Sequence, residues 1–278
     1  MNNYGEMMTN DAEKIVSKFY NEVGWKTGEG VTDDAKRFED LRENAQEYVS
    51  KCRLRVLRHI PQNGINILDM ASGPIQYKEY LEFSKNFKKR YCVDLSSDAL
   101  DQAKKKIGDH GVFLHGSFFD ISLDQNFFDC VVSLHTLYHI DKNQQENVVR
   151  KLLDVTKYEK PIVIVYENPA SLSNLIKKYL RSLKKSIFFL FKRKKREEQL
   201  LYHYVHPLDW WDRFSDIATV EIFPYRSFPS SIQKKVIPNN FIGFKMLEFL
   251  FYLEDRFPRF FVKYAHYPLI VLRKRADI

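Results

Sequence analysis

The sequence predicts an α/β fold, an open and mostly parallel β-sheet that is covered by helices. An apolar strand, Ile67–Met70, runs directly into a turn of small residues, Ala71–Ile75, and a second strand, Lys89–Asp94, ends on an acid 21 residues after Gly73. Further along, Pro161–Tyr166 is a nearly continuous apolar run, which is typical of a parallel strand buried on both faces. A strand, a small-residue turn, a helix and a strand that ends on an acid form the layout of a nucleotide-binding βαβ unit.

The small-residue turn distinguishes between cofactors. A dinucleotide fingerprint, GxGxxG, would have three glycines, and here only Gly73 remains, with Ala71 and Ile75 at neighbouring positions. Asp69 ends the first strand, where a carboxylate would repel a pyrophosphate near a helix N-terminus. The turn therefore favours a cationic or zwitterionic ligand, and Asp94 is placed to accept hydrogen bonds from ribose hydroxyls.

Four spaced blocks, in a fixed order, resemble a known family. After the turn and the ribose acid come a helix that Ser96 or Ser97 caps, a third strand, Gly111–Ser117, and a fourth, Phe127–His135. Over roughly residues 60–168 the chain resembles the class I S-adenosylmethionine-dependent methyltransferases (methyltransferase type 11-like), whose first motif is a strand followed by an acid-x-small-x-Gly turn. The resemblance implies a Rossmann-like, mostly parallel sheet of seven strands that ends with an antiparallel hairpin, and S-adenosylmethionine as the cofactor.

The resemblance places the cofactor along the carboxyl edge of the sheet, with its amino acid end at the first turn and its ribose at Asp94. The cofactor-binding residues that it implies are Asp69, Ala71, Ser72, Gly73, Asp94, Leu95, Ser117, Phe118 and Leu134. The chain departs from the family pattern at Ile75, where a third glycine is usual, and at Ser117, where many members have an acid. Asp120 is the alternative acid at that turn.

Candidate catalytic residues follow the fourth and fifth strands. Methyl transfer from a sulfonium is an in-line displacement, and a hydroxyl acceptor must also lose a proton. His135 and His139 follow the fourth strand, and an imidazole can accept a proton near neutral pH. Glu167, after the fifth strand, is a third candidate, and Tyr138 is expected to shape the acceptor pocket. The alternative for both histidines is a capping or packing role.

Two further segments are predicted to bind the acceptor. Tyr20 and Trp25 lie in the N-terminal segment, which in related methyltransferases forms a lid; alternatively, they pack on the sheet. His203 and His206 lie among the aromatic residues of the segment 202–211, which alternatively forms the entrance to a helix with buried tryptophans. No metal site is expected, because no third or fourth ligand stands at standard spacing.

The chain is predicted to have four parts: an N-terminal helical lid, residues 1–60; an S-adenosylmethionine-binding core, residues 61–169; a basic and aromatic acceptor region that includes the sixth strand, residues 170–265; and the final strand of the core sheet, residues 266–278. Within them the sequence predicts a mobile loop over residues 21–30, helices over about 76–87, 141–158 and 241–264, and the last two strands over 220–223 and 268–272.

The basic charge is concentrated in one segment. The net charge is +8, and residues 172–196 contain ten Lys or Arg and no acid. Apolar residues recur with a helical period from Leu172 to Ile187. An ordinary amphipathic helix and a helix on an anionic membrane surface both fit this pattern. Nucleic-acid binding fits poorly, because the segment lacks interleaved aromatic residues and a known binding fold.

The cysteine content and the N-terminus predict the compartment. Cys52, Cys92 and Cys130 show no CxxC spacing, and the polar N-terminus shows no secretory signal. The longest apolar runs fall far short of the ~20 residues that span a bilayer. The prediction is a cytoplasmic protein, either free or peripheral at the inner face of a membrane.

The predicted function is methyl transfer from S-adenosylmethionine to a hydroxyl, or less favourably an amine, of a small-molecule, lipid-linked or glycan acceptor. An RNA methyltransferase is one alternative, but it would need a motif such as Asn-Pro-Pro-aromatic where Ser133–Thr136 stand. A degenerate methyltransferase fold kept as a binding protein is another, motivated by Ile75 and Ser117. The sequence leaves open the acceptor, the choice between O- and N-methylation, the base and the oligomeric state.

Overall fold

The structure, a computed structural model, describes residues 12–28, 31–178 and 201–276. In chain order its strands are β1 (Thr27–Gly28) and β2 (Val31–Thr32), which form a small ribbon, and β3 (Gly64–Met70), β4 (Phe87–Asp94), β5 (Gly111–His115), β6 (Cys130–Leu134), β7 (Pro161–Val165), β8 (Ala218–Arg226) and β9 (Tyr267–Lys274), which form one seven-stranded sheet.

The order of strands across the sheet is β5-β4-β3-β6-β7-β9-β8. The first five of these run parallel, and β9 is antiparallel to both of its neighbours. Every residue of β7 is buried, as its continuous apolar run predicted. The mostly parallel sheet of seven strands with a terminal antiparallel hairpin confirms the predicted fold class.

Helices flank this sheet. They are α1 (12–19), α2 (Asp33–Phe38), α3 (Glu43–Leu54), α4 (Ser97–Ile107), α5 (Gln145–Val155), α6 (172–178), α7 (Ser230–Val236), α8 (Phe241–Arg256) and α9 (Pro258–Tyr264). A π-helical turn, Tyr20–Gly24, follows α1, and 3-10 turns cover Arg55–Arg58, Lys78–Ser84, Gly108–His110, Leu137–His139 and Leu208–Phe214. The division of the chain into four parts stays a prediction.

Three predictions of local structure need correction. The helix predicted over 76–87 is only the 3-10 turn Lys78–Ser84, and the carbonyl of Tyr80 in this turn accepts a hydrogen bond from Arg90 Nη1 at 2.5 Å. The loop predicted over 21–30 contains most of the π-helical turn and β1.

The stretch predicted as one helix over 241–264 is two helices, α8 and α9. They meet at Phe257, because Pro258 has no N–H to continue the first helix. Of the helix predicted from Leu172, the structure describes α6; the remainder, and the basic cluster 192–196, lie outside the described residues. Among the described helices, none is long and apolar enough to cross a membrane.

Apolar clusters cover both faces of the sheet and fix its position relative to the helices. On one face Ile162 packs with Leu152 of α5, and on the other Val163 packs with Phe83 and Val56. Because successive residues of β7 point to opposite faces, its continuous apolar sequence places apolar side chains in both clusters. The carboxyl ends of the parallel strands are thereby held rigidly at one edge.

Candidate active site

A cavity of about 510 Å³ lies at the carboxyl ends of the central strands. The predicted cofactor-binding residues that line it are Asp69, Ala71, Ser72, Gly73, Asp94, Leu95, Phe118 and Leu134. The predicted catalytic and acceptor residues that line it are His135, His139, Glu167, Tyr20, Trp25, Tyr138 and His203. Parallel strands bring these distant segments to one edge, where open α/β sheets bind ligands.

The turn after β3 owes its shape to left-handed backbone conformations. Ala71, Gly73 and Ile75 all have positive φ angles, of 58°, 53° and 49°. The side chain of Ile75 is fully buried in a small cluster with Cys92 of β4 and Leu100 of α4. The residue that departs from the family's third glycine thus fills space between a strand and a helix, and the turn keeps its course.

Asp69 does not lie in the cavity wall as a free charge. Its buried carboxylate accepts hydrogen bonds from Arg90 Nε, at 3.1 Å, and from Arg90 Nη2, and the Arg90 side chain is itself buried. From the sequence, the charge of Asp69 was expected to favour a cationic ligand. That expectation is wrong in its electrostatics, because Arg90 balances the charge of Asp69. Asp69 instead fixes β4 against β3 beneath the turn.

Asp94, at the end of β4, is a buried carboxylate in the cavity wall. One carboxylate oxygen accepts the Gly73 N–H at 2.8 Å and the other accepts the Ser96 N–H at 2.9 Å. Burial raises the pKa of Asp94 to about 6, against the lowering effect of these two bonds. No Lys or Arg forms an ion pair with it in the described part of the chain, so its remaining lone pairs are available to hydroxyl donors.

Of the two residues predicted on the adenine side, Phe118 lines the cavity and Ser117 does not. Phe118 lines the cavity together with Phe119, which the sequence analysis did not name. Ser117 does not line it: its hydroxyl donates to Glu13 of α1 at 2.7 Å and accepts the Phe119 N–H at 3.1 Å. Ser117 therefore ties α1 to the turn after β5, and Glu13 faces the cavity in its place.

The N-terminal segment covers the turn after β3. Trp25 lies directly over Gly73, since a Cβ added to Gly73 would come within 2.9 Å of the indole ring. Tyr20 stacks on Trp25 with 4.7 Å between ring centroids. The close approach of Trp25 thus requires a glycine at position 73, and the φ of 53° also favours one.

Two buried histidines stand where β6 ends. His135, with a φ of 59°, has its Nδ1 3.1 Å from the hydroxyl of Tyr138, and burial followed by the charge of Arg226 holds its pKa well below the usual value. His139 Nδ1 donates to the carbonyl of Tyr202 at 2.7 Å, and burial lowers the pKa of His139 to about 4. Both imidazoles are therefore neutral at physiological pH.

Glu167, beyond β7, is paired with histidines. Its Oε2 accepts a hydrogen bond from His203 Nε2 at 3.0 Å, and Oε1 lies 3.8 Å from His266 Nε2. Burial opposes ionisation of Glu167, but the bond from His203 and the proximity of His266 outweigh it, so the pKa of Glu167 falls below its ordinary value. Glu167 thereby orients His203 on the cavity wall.

The prediction for His206 is wrong. Its ring stacks on Trp210 with 4.6 Å between centroids, its Nε2 lies 3.3 Å from the carbonyl of Lys142, and it does not line the cavity. The alternative prediction for residues 202–211, the entrance to a helix with buried tryptophans, agrees with the structure. Leu208–Phe214 is a 3-10 turn in which Trp210 and Trp211 are buried. Alternation along residues 203–206 turns the two histidines to different sides.

Sequence reasoning missed several cavity residues that come from other elements. They include Asp34 of α2, Gln76 and Tyr77 after the first turn, Arg226 at the end of β8 and Tyr267 at the start of β9. The last two carried a usable signal, because an antiparallel hairpin on the predicted sheet returns both positions to the carboxyl edge. Nothing in the sequence placed α2 there.

Comparisons with known proteins agree with this geometry. The family model described as "Methyltransferase domain" matches residues 68–164. The structure of a DhpI–SAH complex aligns with a TM-score of 0.57 at 10% identity, covering 96% of this chain and 99% of that chain. A Thermotoga maritima structure described as a SAM-dependent methyltransferase, possible histamine N-methyltransferase, has a TM-score of 0.53 at 12% identity, covering 94% and 99%. No curated protein sequence matches the chain.

The fold and the carboxyl-edge cavity define an α/β enzyme that binds a nucleoside-containing cofactor. Residues 68–164 match a methyltransferase domain and the fold is that of the solved S-adenosylmethionine-dependent methyltransferases, which supports the predicted class I methyltransferase family and S-adenosylmethionine as the cofactor. The residues present fit this group, since Asp94, a buried carboxylate with no Lys or Arg partner among the described residues, lines a cavity that aromatic side chains also line. When bound, the cofactor supplies an electrophilic methyl group.

Proposed function

We propose that this methyltransferase acts on a hydroxyl group of a small-molecule, lipid-linked or glycan acceptor. The observation that carries the proposal is the set of uncharged or carboxylate-paired imidazoles at one end of the cavity: His135, His139 and His203. A hydroxyl acceptor must lose a proton on methylation, and the cavity supplies nitrogen lone pairs to take it. These side chains would be of little use to an acceptor that is already deprotonated.

For the cofactor, we propose that Asp94 and Leu95 hold the ribose, that Ala71, Ser72 and Gly73 contact the amino acid end, and that Phe118 and Leu134 contact the remainder. The position of Trp25 over Gly73 supports this, because an aromatic ring there encloses whatever lies against the backbone of the turn. Asp69 would act indirectly, by holding the turn in place through Arg90.

His139 is the strongest candidate for the base. Its Nδ1 carries the proton that it donates to the Tyr202 carbonyl, so the lone pair is on Nε2. A pKa of about 4 makes the imidazole weakly basic but keeps the lone pair available. This is sufficient, because an alcohol oxygen becomes strongly acidic as its bond to the methyl carbon forms. His203, oriented by Glu167, is the second candidate.

An amine acceptor is the second candidate function. Asp34 and Glu13 line the cavity and would attract a cationic amine, whereas the third acid of the wall, Glu39, is already paired with Arg226. Burial raises the pKa of Asp34 to about 6, so a fraction of this carboxyl group is protonated, and therefore uncharged, near neutral pH. The two functions differ in product, since one forms a methyl ether and the other a methylated amine.

The test begins with labelled S-adenosylmethionine and a panel of alcohols, phenols, sugars and amines. We expect label in methyl ethers; label in amines alone would contradict the proposal. The variant His139→Asn then keeps a donor to the Tyr202 carbonyl and removes the Nε2 lone pair. We expect it to reduce turnover by about 10²–10⁴-fold while affinity for S-adenosylhomocysteine stays unchanged. His206→Asn, outside the cavity, is the matched control.

The predicted membrane contact of residues 172–196 stays a proposal, as does a place at the inner face of a membrane. In its described part, α6, Leu172, Leu175 and Ile176 are exposed. Three exposed apolar side chains on a helix that precedes a lysine-rich segment of the sequence support it. An acceptor carried on a lipid would reach the enzyme at such a surface.

A further inference from the structure

The outer face of α8 and α9 exposes large apolar side chains. Phe241 is 71% exposed, Phe249 59% and Tyr252 57%, and on α9 Phe260 is 57% exposed. The other members of this face are Ile242, Met246 and Phe257. Exposed apolar patches of this kind mark interaction sites in soluble proteins. We name these seven residues the aromatic face.

The aromatic face is one continuous stripe on α8. Its residues recur at i, i+1, i+5, i+8 and i+11 from Phe241, which places them on one side of a helix with 3.6 residues per turn. The opposite side is used already, since Leu247 packs in the cluster with Tyr48 of α3, and Gly243 lies against the carbonyl of Pro238. The helix is therefore apolar on both sides, and the protein covers only one.

Exposed cations border the aromatic face. Lys245 and Arg256 share its side of α8, and Arg259 and Lys263 lie on α9. The nearby acids are engaged: Glu254 and Asp255 bind Arg55 and Arg58 of the α3 region, and Glu248 pairs with Lys245. Within the described residues, Arg256, Arg259 and Lys263 have no carboxylate partner.

We infer that the aromatic face and its bordering cations dock on an anionic lipid bilayer. The charge of the bordering cations decides which partner covers the aromatic face. A second copy of the chain, face to face, would bring the same cations together. The segment 179–200, which lies outside the described residues, would also bring cations against cations, because its residues 181–196 contain eight Lys or Arg and no acid. An anionic bilayer accepts aromatic side chains at its interface and cations at its headgroups.

The aromatic face adjoins both α6 and the acceptor end of the cavity. Asn168 Nδ2 donates to the carbonyl of Lys263 at 3.0 Å and to that of Ala265 at 3.1 Å, which fastens the end of α9 beside the start of α6. The preceding residue, Glu167, lines the cavity. Docking would thus bring the bilayer next to the end of the cavity that holds the candidate bases. The inference does not depend on the chemistry of the acceptor.

The test is co-sedimentation of the full chain with two kinds of vesicle, phosphatidylcholine alone and phosphatidylcholine mixed with phosphatidylglycerol. We expect binding to the mixed vesicles that weakens at high salt. The variant Phe241→Ser/Phe249→Ser/Tyr252→Ser should lose at least about tenfold in partitioning. Arg256→Gln/Arg259→Gln should lose about tenfold or more, since each cation near an anionic surface contributes measurably.

Matched controls remove exposed apolar or basic groups elsewhere: Ile65→Ser/Leu81→Ser, and Lys104→Gln/Lys105→Gln on α4. Affinity for S-adenosylhomocysteine verifies that each variant is folded. The inference is overturned if the wild-type chain binds neither vesicle, or if the aromatic variant binds as wild type does. It is also overturned if ultracentrifugation shows a dimer that the aromatic variant abolishes, because a second copy would then cover the face.

Discussion

Replacing Asp94 by alanine should separate cofactor affinity from folding stability. The substitution removes the carboxylate proposed to receive the ribose hydroxyls, and a charge-assisted hydrogen bond of this kind contributes about 1.5–3 kcal/mol. The dissociation constant for S-adenosylhomocysteine should rise by roughly 10- to 150-fold. The loss is confined to this carboxylate, because no neighbouring cation changes partner in the variant.

Folding stability should change much less, because two effects oppose each other. The Gly73 and Ser96 N–H groups lose their acceptor, at a cost of about 1–3 kcal/mol each. Against this, the folded-state pKa of about 6 lies above the unfolded value of 3.8, so the ionised carboxylate destabilises the folded protein at pH 7 by about 3 kcal/mol. Alanine removes that penalty together with the bonds.

Calorimetric titration with S-adenosylhomocysteine and denaturant unfolding measure the two quantities on the same sample. Asp98→Ala is the control, since Asp98 is an exposed acid in the first turn of α4 and its loss changes the net charge equally. A folded Asp94→Ala protein that binds with the wild-type dissociation constant would show that Asp94 does not hold the ribose.

Three further predictions follow from the same geometry. Affinity for S-adenosylhomocysteine should weaken as pH falls through about 6, because protonated Asp94 is a poorer acceptor; a flat titration between pH 5 and 7, on the order of one unit either side of that pKa, would refute this. Gly73→Ala should destabilise the fold by about 1–2 kcal/mol and shift tryptophan fluorescence, because the new Cβ enters a left-handed position under Trp25; unchanged emission would contradict it. Arg55→Met should lower the free energy of unfolding by about 3–5 kcal/mol, since it leaves the buried Glu254 without its cation; a loss below about 1 kcal/mol would count against that reasoning.

The core strands and the acid at the end of β4 were predictable because they depend on local patterns. Each core strand is an apolar run bounded by turn residues, and the small-residue turn and Asp94 lie within 25 residues or so, about the length of one βαβ unit. Helix bounds were less predictable. The 3-10 turn Lys78–Ser84 is held by a bond from Arg90 to the Tyr80 carbonyl, which connects two segments that only the folded sheet brings together.

The ion pairs of the site were not predictable from the position of either partner in the sequence. Asp69 and Arg90 pair because β3 and β4 are in register with Ile67 opposite Arg90, and a shift of one residue would turn Arg90 to the other face. The sequence analysis treated Asp69 as a lone carboxylate for this reason. The predictions for Ser117 and His206 failed for a similar reason, because a shift of one residue along the chain decides whether a side chain faces the cavity.

Burial at the acceptor end connects the fold to the proposed chemistry. A protonated imidazole beside the cofactor's sulfonium would raise the energy of the reacting complex and would hold no lone pair for the acceptor's proton. Burial prevents protonation of His135 and His139, and the charge of Arg226 adds to the effect at His135. Arg226 is itself fixed by Glu39 at 2.9 Å. Burial, helped at His135 by Arg226 of the terminal hairpin, thus keeps the histidines after β6 neutral, and the proposed hydroxyl acceptor requires that neutrality of its base.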